Sequence, residues 1–151
     1  MRMSPNSAPK SADCILCGRL STPIVRENRF WRTALNPNQN LLGKLIVVLR
    51  RHEEDVTLLS AEEWLVLHEQ VAWAVARLRA AFAPDHFNYA FLQNQDRHIH
   101  LHVIPRYAGP RAAADIEFTD PDYPEMFRVR SNMVAPAVLA ALAGAITTGG
   151  P

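Results

Sequence analysis

The run Arg97-His98-Ile99-His100-Leu101-His102-Val103-Ile104-Pro105-Arg106 alternates imidazole and aliphatic side chains with a period of two. In a β-strand successive side chains point to opposite faces, and like positions recur every ~6.5 Å. The period therefore assigns His98, His100 and His102 to one face and Ile99, Leu101 and Val103 to the other. A half-buried strand needs the apolar face, whereas nothing about folding requires titratable imidazoles in line opposite it. The histidine face asks for a chemical explanation.

Other segments supply the partners of such a strand. Ile24-Val25 and Phe30 to Leu35 read as short strands around Glu27-Asn28, and Asn36-Pro37-Asn38-Gln39-Asn40 reads as a polar loop. Leu45-Ile46-Val47-Val48-Leu49 is apolar throughout and β-branched, as a central strand requires. Ser60 followed by Glu63 forms a capping box for a helix running to about Phe82, before Pro84. Trp64, His68, Val71, Val75, Leu78 and Phe82 form its expected apolar stripe. Tyr89 to Leu92 and the histidine strand are expected to pair across a short Asn94-Gln95-Asp96-Arg97 connection. The chain turns irregular through Asp120 to Pro124, and Pro136 suits the first turn of a helix reaching Ile146. Consecutive strands with one long helix predict an α+β fold: a five-stranded, mostly antiparallel sheet, the long helix and a short terminal helix.

The 151 residues, 48% of them hydrophobic, suffice for one domain with a core. Sixteen basic and fifteen acidic residues leave a net charge of +1, which excludes the broad basic footprint of sequence-independent nucleic-acid binding. No run approaches the ~18 apolar residues of a membrane helix, and Met1 to Asp13 lacks the apolar core of a secretory signal. A cytoplasmic protein is expected. Residues 1–13 read as a mobile leader, rich in Ser, Pro, Asn and Ala. Cys14 and Cys17 are the only cysteines, and their C-x-x-C spacing suits half of a metal site or a redox pair.

Aligned imidazoles admit several chemistries. They can chelate zinc with an open position, serve as structural hydrogen-bonding groups, or divide covalent phosphoryl chemistry between nucleophile and acid. The pattern from His98 to Ile104, followed by Pro105-Arg106, resembles the signature of the histidine triad family over about Cys14 to Tyr107. Its Pro-Arg ending is most similar to the dinucleoside polyphosphate hydrolase (fragile histidine triad) branch and its bacterial relatives. The resemblance implies a histidine triad domain over 14–110, with 111–151 as a partly irregular C-terminal extension packed on it. It also implies a nucleotide hydrolase or nucleotidyl transferase acting on a purine nucleotide, and a homodimer with the helix stripe as a candidate surface.

By the same resemblance His100 is the nucleophile that takes the α-phosphate, His102 serves the leaving group, and His98 holds the triad in its reactive arrangement. Asn36 falls where the family contacts the ribose hydroxyls, although a loop Asn closing its own turn is the competing reading. Gln93 and Asn94 fall where polar groups hold the α-phosphate. Two departures stand out: Gly43-Lys44 replaces the usual Gly-His, and the short connection lacks the Gly-rich segment that binds the leaving phosphate, for which Gln95 and Arg97 are the available substitutes. Bacterial relatives that bind structural zinc imply the ligand set Cys14, Cys17, His52 and His98, with no metal needed for the chemical step. Phe30, Trp31 and Phe91 are either base-pocket walls or core, and Arg106 is either a phosphate contact or a solvated strand-end residue. The alternatives to a covalent enzyme are a nucleotide-binding regulatory protein with little turnover and a zinc hydrolase using His98, His100 and His102 as ligands.

Overall fold

The computed structural model describes residues 11–148, so most of the expected leader lies outside the described residues. Ser11–Asp13, its last part, form one 3-10 turn that leads directly into Cys14. Five strands, β1 (Ile24–Glu27), β2 (Trp31–Leu35), β3 (Leu45–Leu49), β4 (His86–Ala90) and β5 (His100–Arg106), make one sheet in the order β1-β2-β3-β5-β4. Every pairing is antiparallel. With the long helix α1 (Ala61–Phe82) and the terminal helix α2 (Pro136–Thr148), this is the α+β architecture expected from the sequence.

The sheet is buried on both faces at its centre, which explains why β3 is apolar at every position. Trp31, Leu35, Leu45, Val47, Leu49, Ile99, Leu101 and Val103 belong to the main core beneath α1 and α2. The opposite face carries a smaller cluster of Ala34, Ile46, Val48 and Leu16, with Cys14 and Leu20 packed against it. His100 and His102 share that second face, opposite Val48 and Ile46 in register. The alternation therefore sorts histidines from aliphatics as expected, but β5 begins only at His100. His98 lies in the approach to the strand, where Ile99 N bonds Glu53 O at 2.8 Å and Leu49 N bonds Ile99 O at 3.1 Å.

Helix α1 starts at the expected capping box: the Ser60 side chain accepts from Glu63 N, and the Glu63 carboxylate accepts from Ser60 N. Its buried face differs from the expected stripe. Glu63, Leu67, Gln70, Ala74, Val75, Leu78 and Phe82 point inward, whereas Trp64 and His68 are exposed. Polar side chains on the inward face misled the pattern. Glu63 is held by its capping bonds and by Arg51, while Gln70 donates to Thr33 Oγ1 at 2.7 Å and accepts from Asn28 Nδ2 at 3.0 Å. Ala83 ends the helix in the left-handed region at φ 48°, just before Pro84.

Two connections also differ. Strand β4 stops at Ala90, so it pairs with β5 as expected but across residues 91–99, a longer link than the expected connection. Gln93 at φ 49° turns the chain away from the sheet, and its Nε2 donates to Glu54 O at 2.9 Å. Before the irregular stretch the chain makes an unforeseen hairpin, β6 (Arg111–Ala113) and β7 (Ile116–Phe118). Its turn residues Ala114 and Asp115 both adopt positive φ (50° and 60°), without the Gly or Asn that usually marks such a turn. Leu139, Leu142 and Ile146 of α2 complete the main core. No helix among the described residues is long and apolar enough to cross a membrane.

Candidate active site and metal centre

The second face of the sheet opens into a cleft of about 770 Å³. His100 and His102 reach it from β5, Asn36 from the end of β2, and Gln93, Asn94 and Gln95 from the 91–99 link. Residues that the sequence placed in separate arguments thus line one cavity. Leu16, Leu20, Ile46 and Leu92 give it an apolar wall, and none of Phe30, Trp31 and Phe91 lines it. Trp31 is fully buried beneath α1, with its Nε1 donating to Glu63 O at 3.0 Å. Phe30 and Phe91 pack against the same core.

His100 is held in a defined tautomer. Its Nδ1 lies 2.7 Å from the His98 carbonyl, a group that can only accept, so Nδ1 carries a proton and the lone pair of the neutral ring is on Nε2. His102 packs edge-on against it, with ring centroids 4.9 Å apart. Burial, then the charges of His100 and Lys44, holds the His102 pKa down at about 4. The His98 ring points elsewhere: its Nε2 donates to Leu49 O at 2.6 Å, which leaves Nδ1 as the free lone pair.

That Nδ1 belongs to a separate cluster. It stands 3.4 Å from both Cys14 Sγ and Cys17 Sγ and 3.3 Å from His52 Nδ1, and Cys17 Sγ is 3.2 Å from His52 Nδ1. Ligands of a tetrahedral zinc ion lie roughly 3.3–3.8 Å from one another, given metal bonds of about 2.0–2.3 Å. The four donors, all within 4.8 Å of one another, fit zinc in both chemistry and spacing. Behind them, Leu49 O fixes one imidazole, and the Glu54 carboxylate approaches His52 Nε2 at 3.5 Å, the kind of outer support that orients ligating histidines. A redox dithiol would need a lowered thiol pKa; burial, and then Cys14, push Cys17 up to about 11. A divalent cation reverses that balance by binding the thiolate. Among the described residues this is the only such metal-fitting cluster, and it takes one triad histidine without the other two.

Solved structures share this architecture. A histidine triad nucleotide-binding protein from Sulfolobus tokodaii superimposes with a TM-score of 0.70 at 19% identity, over 90% of this chain and 91% of that one. A HIT family protein from Bacillus anthracis is 27% identical, with a TM-score of 0.58 over 64% and 74% of the two chains. The chain has the histidine triad fold. A Zn-bound histidine triad family protein from Mycobacterium smegmatis shares that fold as well, with a TM-score of 0.65 at 19% identity over 91% and 96% of the chains. No family model and no curated protein matches the sequence. Within the histidine triad fold, the Cys14, Cys17, His52 and His98 cluster of this chain has the donor set and spacing to hold a structural zinc ion.

Some functional positions depart from the sequence reading. Asn36 does close its own turn, its Oδ1 accepting from Asn38 N at 2.9 Å, and it also lines the cleft. Arg106 is neither a phosphate contact nor solvated: it is buried and bonded to Asp120, Asn88 Oδ1 and Glu125 O. Arg97 stands outside the main cleft in a smaller polar hollow with Glu54, Gln93 and Asn94. Sequence reasoning missed Gln39, fully buried, whose side chain bonds Asn36 O, Lys44 O and Gly43 N and so shapes the loop that carries Asn36. Gly43 needs its φ of 78° and has no room for a side chain, since a Cβ would lie 2.8 Å from Leu78 and 2.9 Å from Phe82. It also missed Lys44 and Ile46 on the cleft face; continuing the period of two through β3 would have placed both there.

Proposed function

We propose that the protein is a nucleotide hydrolase or nucleotidyl transferase that attacks the α-phosphate of a purine (di)nucleoside phosphate through a covalent nucleotidyl-His100 intermediate. The observation that carries this reading is the His100 tautomer, which keeps the Nε2 lone pair on the ring that lines the cleft. In the first step Nε2 forms a bond to phosphorus and the bond to the leaving group breaks. The leaving group takes its electron pair and a proton from solvent, and His102, left neutral by its depressed pKa, hydrogen-bonds it through its ring N–H. The imidazolium formed on His100 keeps its Nδ1–H on the His98 carbonyl, which stabilises the charge as it develops. Water, or an acceptor in a transferase, then attacks phosphorus and the P–N bond breaks. Cys14, Cys17, His52 and His98 would hold a zinc ion, and that ligation would fix His98 and, through its carbonyl, the proton on His100 Nδ1. Catalysis of this kind is mainly positioning and charge stabilisation.

Asn36 would contact the ribose hydroxyls, and Gln93, Asn94 and Gln95 the phosphate and leaving group. Gln93 commits one amide N–H to Glu54 O and retains the second. The reading includes a cytoplasmic enzyme, in a compartment that keeps Cys14 and Cys17 reduced, and a dinucleoside polyphosphate as the substrate to try first. It also includes a homodimer; with the expected helix stripe largely in the core, the exposed Trp64 and Leu65 of α1 and Tyr89 of edge strand β4 are the apolar groups available to an interface. Sedimentation at micromolar concentration tests the dimer.

The deciding experiment is rapid-quench intact mass spectrometry of wild type and His100→Ala with diadenosine polyphosphates and adenosine phosphoramidate. A nucleotidyl adduct on wild type alone is the expected result. Full turnover by His100→Ala would sink the proposal, and tight binding with neither adduct nor turnover would make this a nucleotide-binding protein instead.

A further inference from the structure

Lys44 precedes β3 and, by the period of the strand, shares the cleft face with Ile46 and Val48. It lies beside Asn36, whose backbone N–H donates to Lys44 O at 2.9 Å, and it lines the same cleft as both reactive histidines. Its ammonium donates to Asn40 Oδ1 at 2.5 Å. Among the described residues no carboxylate forms an ion pair with it. A half-buried ammonium without a counter-ion is costly, and burial alone holds the Lys44 pKa down at about 8. Two other charged residues line the cleft. Arg19 is exposed and solvated, and the Asp96 carboxylate pairs with neither cation. Lys44 thus lines the cleft with Asn40 as its side-chain partner and, among the described residues, with no carboxylate paired to it.

We propose that Lys44 binds the substrate phosphate, its ammonium contacting the non-bridging oxygens of the group attacked by His100, so that the cleft takes nucleotides and discriminates against uncharged nucleosides. The assignment rests on the nucleotide reading above and adds a residue that the family resemblance does not supply, because the histidine usual at this place is replaced. No proton moves to or from Lys44 in the reaction. The ammonium stays charged and neutralises oxygens that keep their negative charge while the bond to His100 forms. A compact point charge suits oxygens whose positions shift between the free and histidine-bound phosphate.

The test is calorimetric binding of AMP and GMP, each beside its nucleoside, to wild type, Lys44→Met and Lys44→Arg, with zinc content and melting temperature measured on every variant. Lys44→Met is expected to weaken monophosphate binding by about tenfold or more while nucleoside binding stays unchanged, and Lys44→Arg to restore most of the loss. An equal loss for nucleoside and nucleotide would place Lys44 at the ribose or base and overturn the proposal. So would no loss at all, although the nucleotide reading would then survive. Wild type that binds neither ligand removes both. Should Lys44→Met fail to fold, Lys44→Gln keeps a polar side chain without the charge and answers the same question.

Discussion

Glu63 serves two elements at once. Its carboxylate closes the capping box of α1 and takes both arms of Arg51, at 2.7 and 3.0 Å, while its side chain is only 6% exposed. The Arg51 bond, ahead of the opposing burial and the Ser60 bonds, pulls its pKa from 4.5 down to about 2. A carboxylate depressed in the folded state stabilises the fold above its unfolded value, and that stability is lost as pH falls through the folded value. Wild type should therefore lose stability between about pH 4.5 and pH 2, where Glu63→Gln, already lacking the charge, should change less. At pH 7 the substitution should cost about 1.5–3 kcal/mol, the usual range for hydrogen bonds to a charged group. Urea unfolding of both proteins across this pH range checks the sign and the size. Ser60-x-x-Glu63 was legible in the sequence because a capping box is local. Arg51 was not, because nothing local says that the chain brings residue 51 beneath the start of the helix.

At the scale of elements, a zinc ion in the Cys14, Cys17, His52 and His98 cluster would fasten to the sheet a segment otherwise held by buried Leu16 and by two Arg32 bonds. Cys14 and Cys17 sit at its start, and the residues that follow, Leu16 and Leu20 among them, form the apolar wall of the cleft. Binding of structural metals contributes to folding because the ligands are not preassembled in the unfolded chain. A Cys14→Ser plus Cys17→Ser variant should lose its metal by elemental analysis. Hydrogen exchange should then rise over residues 14–22 and stay low in β3 and β5, and nucleotide affinity should fall. Unchanged protection over 14–22 would mean that Leu16 and the two Arg32 bonds to Leu16 O and Gly18 O suffice to hold the segment. The cysteine spacing announced half of this site, and the resemblance supplied the other ligands. What it did for the cleft became visible only when the segment lay across the second face of the sheet.

For the molecule as a whole, Arg106 and Asp120 join the sheet to everything after it. The guanidinium, on the last residue of β5, meets Asp120 at 2.6 Å with the two side chains 2% and 0% exposed, and Glu125 O, Tyr123 and Phe127 complete its surroundings. Removing one member of a buried pair strands the other, at a cost of about 3–5 kcal/mol. Asp120→Ala should lower the unfolding midpoint accordingly and open residues 119–133 to limited proteolysis before β1 to β5 unfold. Stability within ~0.5 kcal/mol of wild type would show that α2 and the bonds from Asn38 and Gln39 to residues 130–132 hold the extension without the pair.

The sequence by itself determined the five strands of the main sheet, the capped helix, the α+β class and the common face of His100 and His102, because each depends on a period or on a contact between near neighbours. Even the placing of His100 and His102 on a common face of β5 is local, since alternation along one strand assigns it. Tertiary structure decided which way α1 is turned, why Gln70 and Gln39 are buried, and why Arg106 serves packing instead of phosphate. It also gave His98 its two duties, an imidazole among the zinc ligands and a carbonyl that sets the His100 tautomer, and left Lys44 in the cleft without a counter-ion. These outcomes rest on hydrogen bonds and desolvation between residues distant in the chain, and such energies exist only once the sheet has brought the groups together.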